Sequence, residues 1–183
     1  MIDRPDPELR KAYVELVRSW APRLDLIAPG DLGRIEERHI DDSLKALPWV
    51  LDAPPGPAVD VGSGAGLPGV PLALAAPQRL WRLLEPRAKR AGFLDEVVRE
   101  LDLNAEVIRI SAHQAAADPS LAEVHVVATA RALAAPATAF ELLEPLLVRG
   151  GLSLVWVGER AQIPLEAEES VPGLAIMRRG STP

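Results

Sequence analysis

Cysteine is absent from the 183 residues. Its absence excludes disulfides, thiolate nucleophiles and cysteine-rich zinc sites together, and suits a chain that works in a reducing compartment. Only three histidines are present, His39, His113 and His125, too scattered to resemble a ligand set, so no metal is expected. Positive charge is also in deficit. Twenty Lys and Arg face 26 Asp and Glu, a formal net charge of −6, which argues against indiscriminate binding to polyanions. Long apolar runs are missing as well: the longest uncharged stretch, Val61 to Gln78, carries four Gly and three Pro, which would break a membrane-spanning helix several times. The segment Met1 to Pro7 has neither the cationic start nor the apolar run of a secretory leader. A cytoplasmic location away from membranes is the expectation.

What is present is the composition of a folded domain, 48% hydrophobic and 25% charged. The length suits one domain over residues 1–183, with a helical segment over 1–52 and an α/β core over 57–183. Seventeen of the 20 cations are Arg, whose planar fork suits bidentate recognition of phosphate and carboxylate, so a local RNA-binding patch stays open.

Leu9, Tyr13, Leu16 and Trp20 recur at helical spacing, and Pro22 is expected to end that helix. A second helix is expected from about 33 to 51, with Ile40, Leu44, Leu47 and Leu51 on one stripe. After the turn-rich stretch Asp52 to Pro57, short apolar runs alternate with helical ones. Strands are read at Ala58 to Val61, Leu80 to Leu84, Glu106 to Ile110, Val124 to Thr129 and Leu152 to Val157, with a sixth at 173–179. Helices near 68–76, 88–101 and 136–148 lie between them. The alternation predicts a mostly parallel sheet with helices on both faces, and the acidic run Glu166 to Glu169 reads as a solvated loop or helix face. Trp20, Trp49, Trp81 and Trp156 are assigned to the core.

The strongest signal is the turn Val59 to Gly69 after the first strand. Gly62, Gly64 and Gly66 permit positive φ and close approach of a ligand to the backbone. Their GxGxG spacing departs from the dinucleotide fingerprint, and no Gly-Lys-Ser/Thr follows, so phosphate cradling is disfavoured. Glu85 stands 21 residues beyond Gly64 at the end of the second strand, where an acid would accept both hydroxyls of a ribose. An adenosyl group is the economical ligand. Outside the loop, His39 with Asp42 one turn later is the best polar pair, and Arg131 ends a strand on the binding side of the sheet. Arg87, Lys89 and Arg90 form a plausible phosphate contact or simply the solvated start of a helix.

Four segments, Arg38 to Leu44, Val59 to Gly69, Lys89 to Leu94 and Thr129 to Ala132, stand in the order seen in the RsmG or GidB family, the bacterial 16S rRNA guanine-N7 methyltransferases. The chain resembles that family over about residues 15–157. The resemblance implies a Rossmann-like class I methyltransferase fold and S-adenosylmethionine as cofactor, with 16S rRNA or the small ribosomal subunit as partner. Asp60, Gly62, Gly64, Gly66, Leu67, Glu85, His113, Gln114 and Arg131 are then expected around the cofactor, and Arg38, His39 and Asp42 toward the substrate. The sequence departs from the family at Ala112-His113-Gln114, where an Ala-Glu pair is usual, and at Val157, where a lysine is usual. With 26 residues from Gly158 onward, the sheet is also expected to fall one strand short. These departures leave room for a paralogue that methylates a small molecule, or for a cofactor-binding protein without catalysis. No catalytic base is assigned, because guanine N7 offers a lone pair and has no proton to lose.

Overall fold

The computed structural model describes residues 5–158 and 161–180. Helix α1 (Pro7–Leu24) opens on Asp6, whose carboxylate accepts from the amides of Glu8 and Leu9 and so satisfies two of the four unpaired donors of the first turn. Pro22 lies inside α1 rather than ending it; the helix stops at Asp25, which takes the left-handed conformation. The second expected helix is broken up. A 3₁₀ segment (Pro29–Arg34), a π turn (Glu36–Ile40), α2 (Asp41–Ser43), a second 3₁₀ turn (Leu44–Ala46) and α3 (Leu47–Asp52) follow one another. Its apolar stripe holds only in part, since Ile40 and Leu47 are fully buried and Leu44 half-buried but Leu51 is exposed, and Pro48 at the start of α3 prevents a continuous hydrogen-bond ladder.

The core then alternates as expected: β1 (Ala58–Val61), α4 (Gly69–Ala75), β2 (Trp81–Leu84), α5 (Ala88–Glu100), β3 (Ala105–Ile108), α6 (Ala112–Ala116), β4 (His125–Arg131), α7 (Pro136–Leu143) and β5 (Leu147–Trp156). A hairpin of β6 (Glu168–Val171) and β7 (Leu174–Arg178) completes a sheet of order β3-β2-β1-β4-β5-β7-β6. The first five strands run parallel and the last two antiparallel. Seven strands stand where six were expected, because part of the acidic run 166–169 enters the edge strand β6 instead of remaining a loop.

Alternation along the strands sends Ala58, Trp81, Leu83 and Leu154 toward α1, α3, α4 and α5, and Val59, Leu84, Ala128 and Val155 toward α6 and α7. Trp81 is fully buried and Trp156 nearly so, as expected for core tryptophans, while Trp20 lies tilted against Phe93. Fully burying a large apolar side chain of this kind is worth about 1.5–3 kcal/mol. A buried arginine ties the helical segment to the sheet. Arg79, in the turn before β2, donates to the main-chain carbonyls of Val50, Ala53, Pro54 and Gly56 at 2.6–3.1 Å, closing the end of α3 and the turn after it. Strand order reverses at β1, with β2 and β3 laid to one side and β4 and β5 to the other, so the crevice for a ligand opens at the carboxyl ends of these parallel strands.

Candidate functional site

The glycine turn sits at the carboxyl end of β1. Gly62, Gly64 and Gly66 all have positive φ, at 72°, 57° and 87°. Its amides are turned inward: those of Gly62 and Ser63 donate to Leu84 O, that of Gly64 to Glu85 Oε2, and those of Gly66 and Leu67 to Ser63 O. The turn therefore offers room in place of a ring of free N–H donors, which suits a neutral sugar better than a phosphate. The Tyr13 hydroxyl, kept protonated as burial and the Asp60 charge push its pKa up, donates to Ala65 O at 2.7 Å and pins the turn to α1.

Glu85 is 3% exposed at the end of β2. Its Oε2 accepts from Gly64 at 3.0 Å and its Oε1 from Arg87 at 2.9 Å. A carboxylate oxygen has two lone pairs, so each keeps one acceptor site while two amides fix the plane of the group. Glu85 and Gly62 lie on the wall of a hollow of about 360 Å³ that is also lined by Ile110, Ser111, Ala112 and His113. A second hollow of about 380 Å³ continues past Gly62 and Gly64 to Leu67, His39, Asp31 and Arg131. Ala132, held at φ 52°, borders both. A left-handed non-glycine residue at such a place is strained, a feature that concentrates at functional sites.

Arg131 joins the N-terminal segment to the sheet. Its Nη2 meets His39 Nδ1 at 2.9 Å and Arg38 O at 3.3 Å, and its Nη1 lies 3.5 Å from Asp42 Oδ2. Burial first, then the Arg131 cation, depresses the His39 pKa from its ordinary value. Asp31 is held below the usual carboxylate range: against a desolvation penalty, the Arg38 guanidinium at 2.7 Å and then His39 favour its charged form. Beyond Arg131 and Ala132 a third hollow of about 370 Å³ is lined by Asp42, Pro136, Trp156 and Val157.

Several expected site residues are placed elsewhere. Asp60 is fully buried behind the turn, taking the Thr129 hydroxyl at 2.7 Å and the Gly69 amide at 3.3 Å; burial raises its pKa to about 6, and its work is to fix β1, β4 and α4 to one another. Gly66 is off the cavity wall, because a Cβ there would stand 2.6 Å from Val70 Cγ2, so its reason is packing. The Gln114 side-chain oxygen accepts from the Ser111 amide in a capping box at the start of α6, so that oxygen is engaged by the helix cap. Arg38 pairs with Asp31 and reaches Arg131 only through its carbonyl, and His39 and Asp42 are bridged by Arg131 instead of bonding each other. His125 is fully buried, 2.9 Å from Leu146 O and 3.3 Å from Arg82 Nη1. Among the described residues no three His, Cys, Asp or Glu side chains gather as a metal site.

Sequence reasoning missed Tyr13, Asp31 and Ala132. Tyr13 carried only a core signal, Asp31 sits in the aperiodic Pro-Gly-Asp turn, and a left-handed alanine leaves no trace in composition.

A mostly parallel sheet with a glycine turn after its first strand and an acid closing the next has the form of a Rossmann-like class I methyltransferase. The overall form is shared with a Corynebacterium glutamicum protein, with a TM-score of 0.66 at 13% identity over 94% of this chain and 91% of that one. A methyltransferase from Geobacter sulfurreducens superposes with a TM-score of 0.59 at 14% identity, covering 95% and 89%. The particular family is fixed by sequence: residues 7–178 match the model of GidB, rRNA small subunit methyltransferase G, and the chain belongs to that family. The ribosomal RNA small subunit methyltransferase G of Acidiphilium cryptum is 38% identical over 171 residues, 91% of this chain and 75% of the relative. That of Mycolicibacterium smegmatis is 38% identical over 165 residues, 90% and 68%. The chain is thus an S-adenosylmethionine-dependent methyltransferase. Among the described residues no helix is long and apolar enough to cross a membrane.

Proposed function

We propose that the protein transfers a methyl group to N7 of a guanine in 16S rRNA of the small ribosomal subunit, in the cytoplasm. Membership in the rRNA small subunit methyltransferase G family supports the substrate class. The observation that carries the cofactor assignment is the pairing of Glu85, its outer lone pairs free on a cavity wall, with a glycine turn in which the amides of Gly62, Ser63, Gly64, Gly66 and Leu67 are already satisfied.

In this reading Glu85 takes the ribose hydroxyls, and the edge from Ile110 to His113 flanks the adenine. Gly62, Gly64, Leu67 and Arg131 border the methionine end. S-adenosylmethionine supplies a methyl that is already electrophilic on a sulfonium sulfur. The protein need not remove a proton from N7, so its contribution is alignment, and holding nucleophile and methyl in line can supply about 7–11 kcal/mol of the barrier. The target base enters the hollow bordered by Arg131, Trp156 and Asp42, whose carboxylate matches the donor edge of guanine. Asp42 and Arg131 serve substrate and cofactor from one ion pair.

Calorimetric titration with S-adenosylmethionine, followed by labelled methyl transfer to undermethylated small subunits, tests the proposal. Saturable binding and label at guanine N7 are expected. Binding without label on the RNA would overturn the substrate, and no binding to folded protein would overturn the site.

A further inference from the structure

A groove of about 330 Å³ runs between the end of α1 and the start of α5, lined by Arg23, Asp25, Arg87, Lys89 and Arg90. Four cations face one acid there, in a chain whose net charge is −6. Elsewhere the cations are largely committed: Arg34, Arg38, Lys45, Arg82 and Arg99 each hold a carboxylate. Among the described residues, the side chains of Arg23, Arg87 and Lys89 make no hydrogen bond or ion pair. Arg90 alone is anchored, donating from Nη2 to the Asp25 carbonyl at 3.0 Å, which joins the two helices across the groove. An excess of like charge lining one groove attracts anions to it.

The groove is continuous with the cofactor cavities. Arg90 lines both hollows around the glycine turn, and Arg87 lines the one that holds Glu85. The amino end of α5, a helix of 13 residues with no side-chain cap, adds the positive end of its dipole to the same place. On the far side of the crevice, β5 is followed by the half-buried apolar Val157, so the cationic wall stands at α1 and α5.

We propose that this groove seats the phosphodiester backbone of the substrate RNA beside the target nucleotide. The inference rests on the RNA reading above and assigns it a surface. Phosphate contacts of this kind fix register and affinity without reading sequence, and each releases counterions, so they are recognised by their salt dependence. Arg23 and Lys89 lie outside the cofactor cavities and can be changed without touching them.

The test compares wild type, Arg23→Glu/Lys89→Glu and a charge-matched control, Lys11→Glu/Arg149→Glu, for binding to fluorescently labelled undermethylated small subunits at several salt concentrations. The milder Arg23→Gln/Lys89→Gln pair covers loss of folding. The groove variants are expected to bind at least tenfold more weakly near 0.1 M salt, with the slope of log affinity against log salt reduced by about two. Their S-adenosylmethionine affinity should stay within about twofold of wild type, and the control should bind like wild type. Unchanged binding in the groove variants, an equal loss in the control, or wild type that does not bind subunits would overturn the groove. Groove-dependent binding with no label at guanine N7 would instead overturn the reaction and leave the groove standing.

Discussion

His39 Nδ1 accepts a hydrogen bond from Arg131 Nη2 at 2.9 Å. A guanidinium only donates, so the imidazole is neutral with its proton on Nε2, 3.3 Å from Asp31 Oδ2. A second proton would set an N–H against the Arg131 cation. Burial and that cation depress the His39 pKa, while Asp31 and Asp42 oppose the shift. The contact is therefore intact at neutral pH and is lost as pH falls through the lowered value. His39→Ala is expected to weaken S-adenosylmethionine binding about 3- to 10-fold, the loss of roughly one net hydrogen bond. His39→Asn, which returns an acceptor near Nδ1, should recover most of it and remove the acid limb of the profile. Calorimetry between pH 5 and 8 reads both, and identical profiles for wild type and His39→Asn would rule out the role.

Gly64→Val is expected to abolish measurable cofactor binding while the domain stays folded. Space is not the obstacle, since a Cβ would meet Gly62 O only at 3.7 Å; the φ of 57° is. A β-branched residue there costs about 1–2 kcal/mol and drags the amide off Glu85. Circular dichroism and titration separate the two effects.

Glu85→Gln replaces one acceptor by a donor between two donors, the amides of Gly64 and Arg87. A loss of about 1–3 kcal/mol in urea unfolding is expected, together with weaker cofactor binding. Retained stability would mean that the side chain is not clamped as described.

Tyr13→Phe removes what is, among the described residues, the one side-chain hydrogen bond from α1 to the glycine turn and strands the Ala65 carbonyl in the interior. About 1–3 kcal/mol of stability should go, with a fall in cofactor affinity that a purely peripheral helix would not produce. Unfolding curves and calorimetry on the same preparation check it.

The core was legible because period and punctuation agreed. Ala58–Val61 was placed to the residue, and Gly62, Gly64 and Glu85 stand where turn chemistry and spacing put them. What escaped depended on contacts remote in sequence or on local competition. Asp60 looks like a ligand in a motif, yet Thr129, 69 positions away, claims it. Gln114 looks like a substitute for glutamate, yet Ser111 three residues back offers it a cap. The seventh strand hid in an acidic run because an edge strand can carry charge where a central one cannot.

Arg79 and Arg131 grip the same N-terminal stretch at opposite poles of the sheet, one beneath the strands and one above them. Fastened at both ends, the stretch forms a rim of the crevice mouth, and on the RNA reading proposed above the polymer is expected to bring its base in by distorting itself.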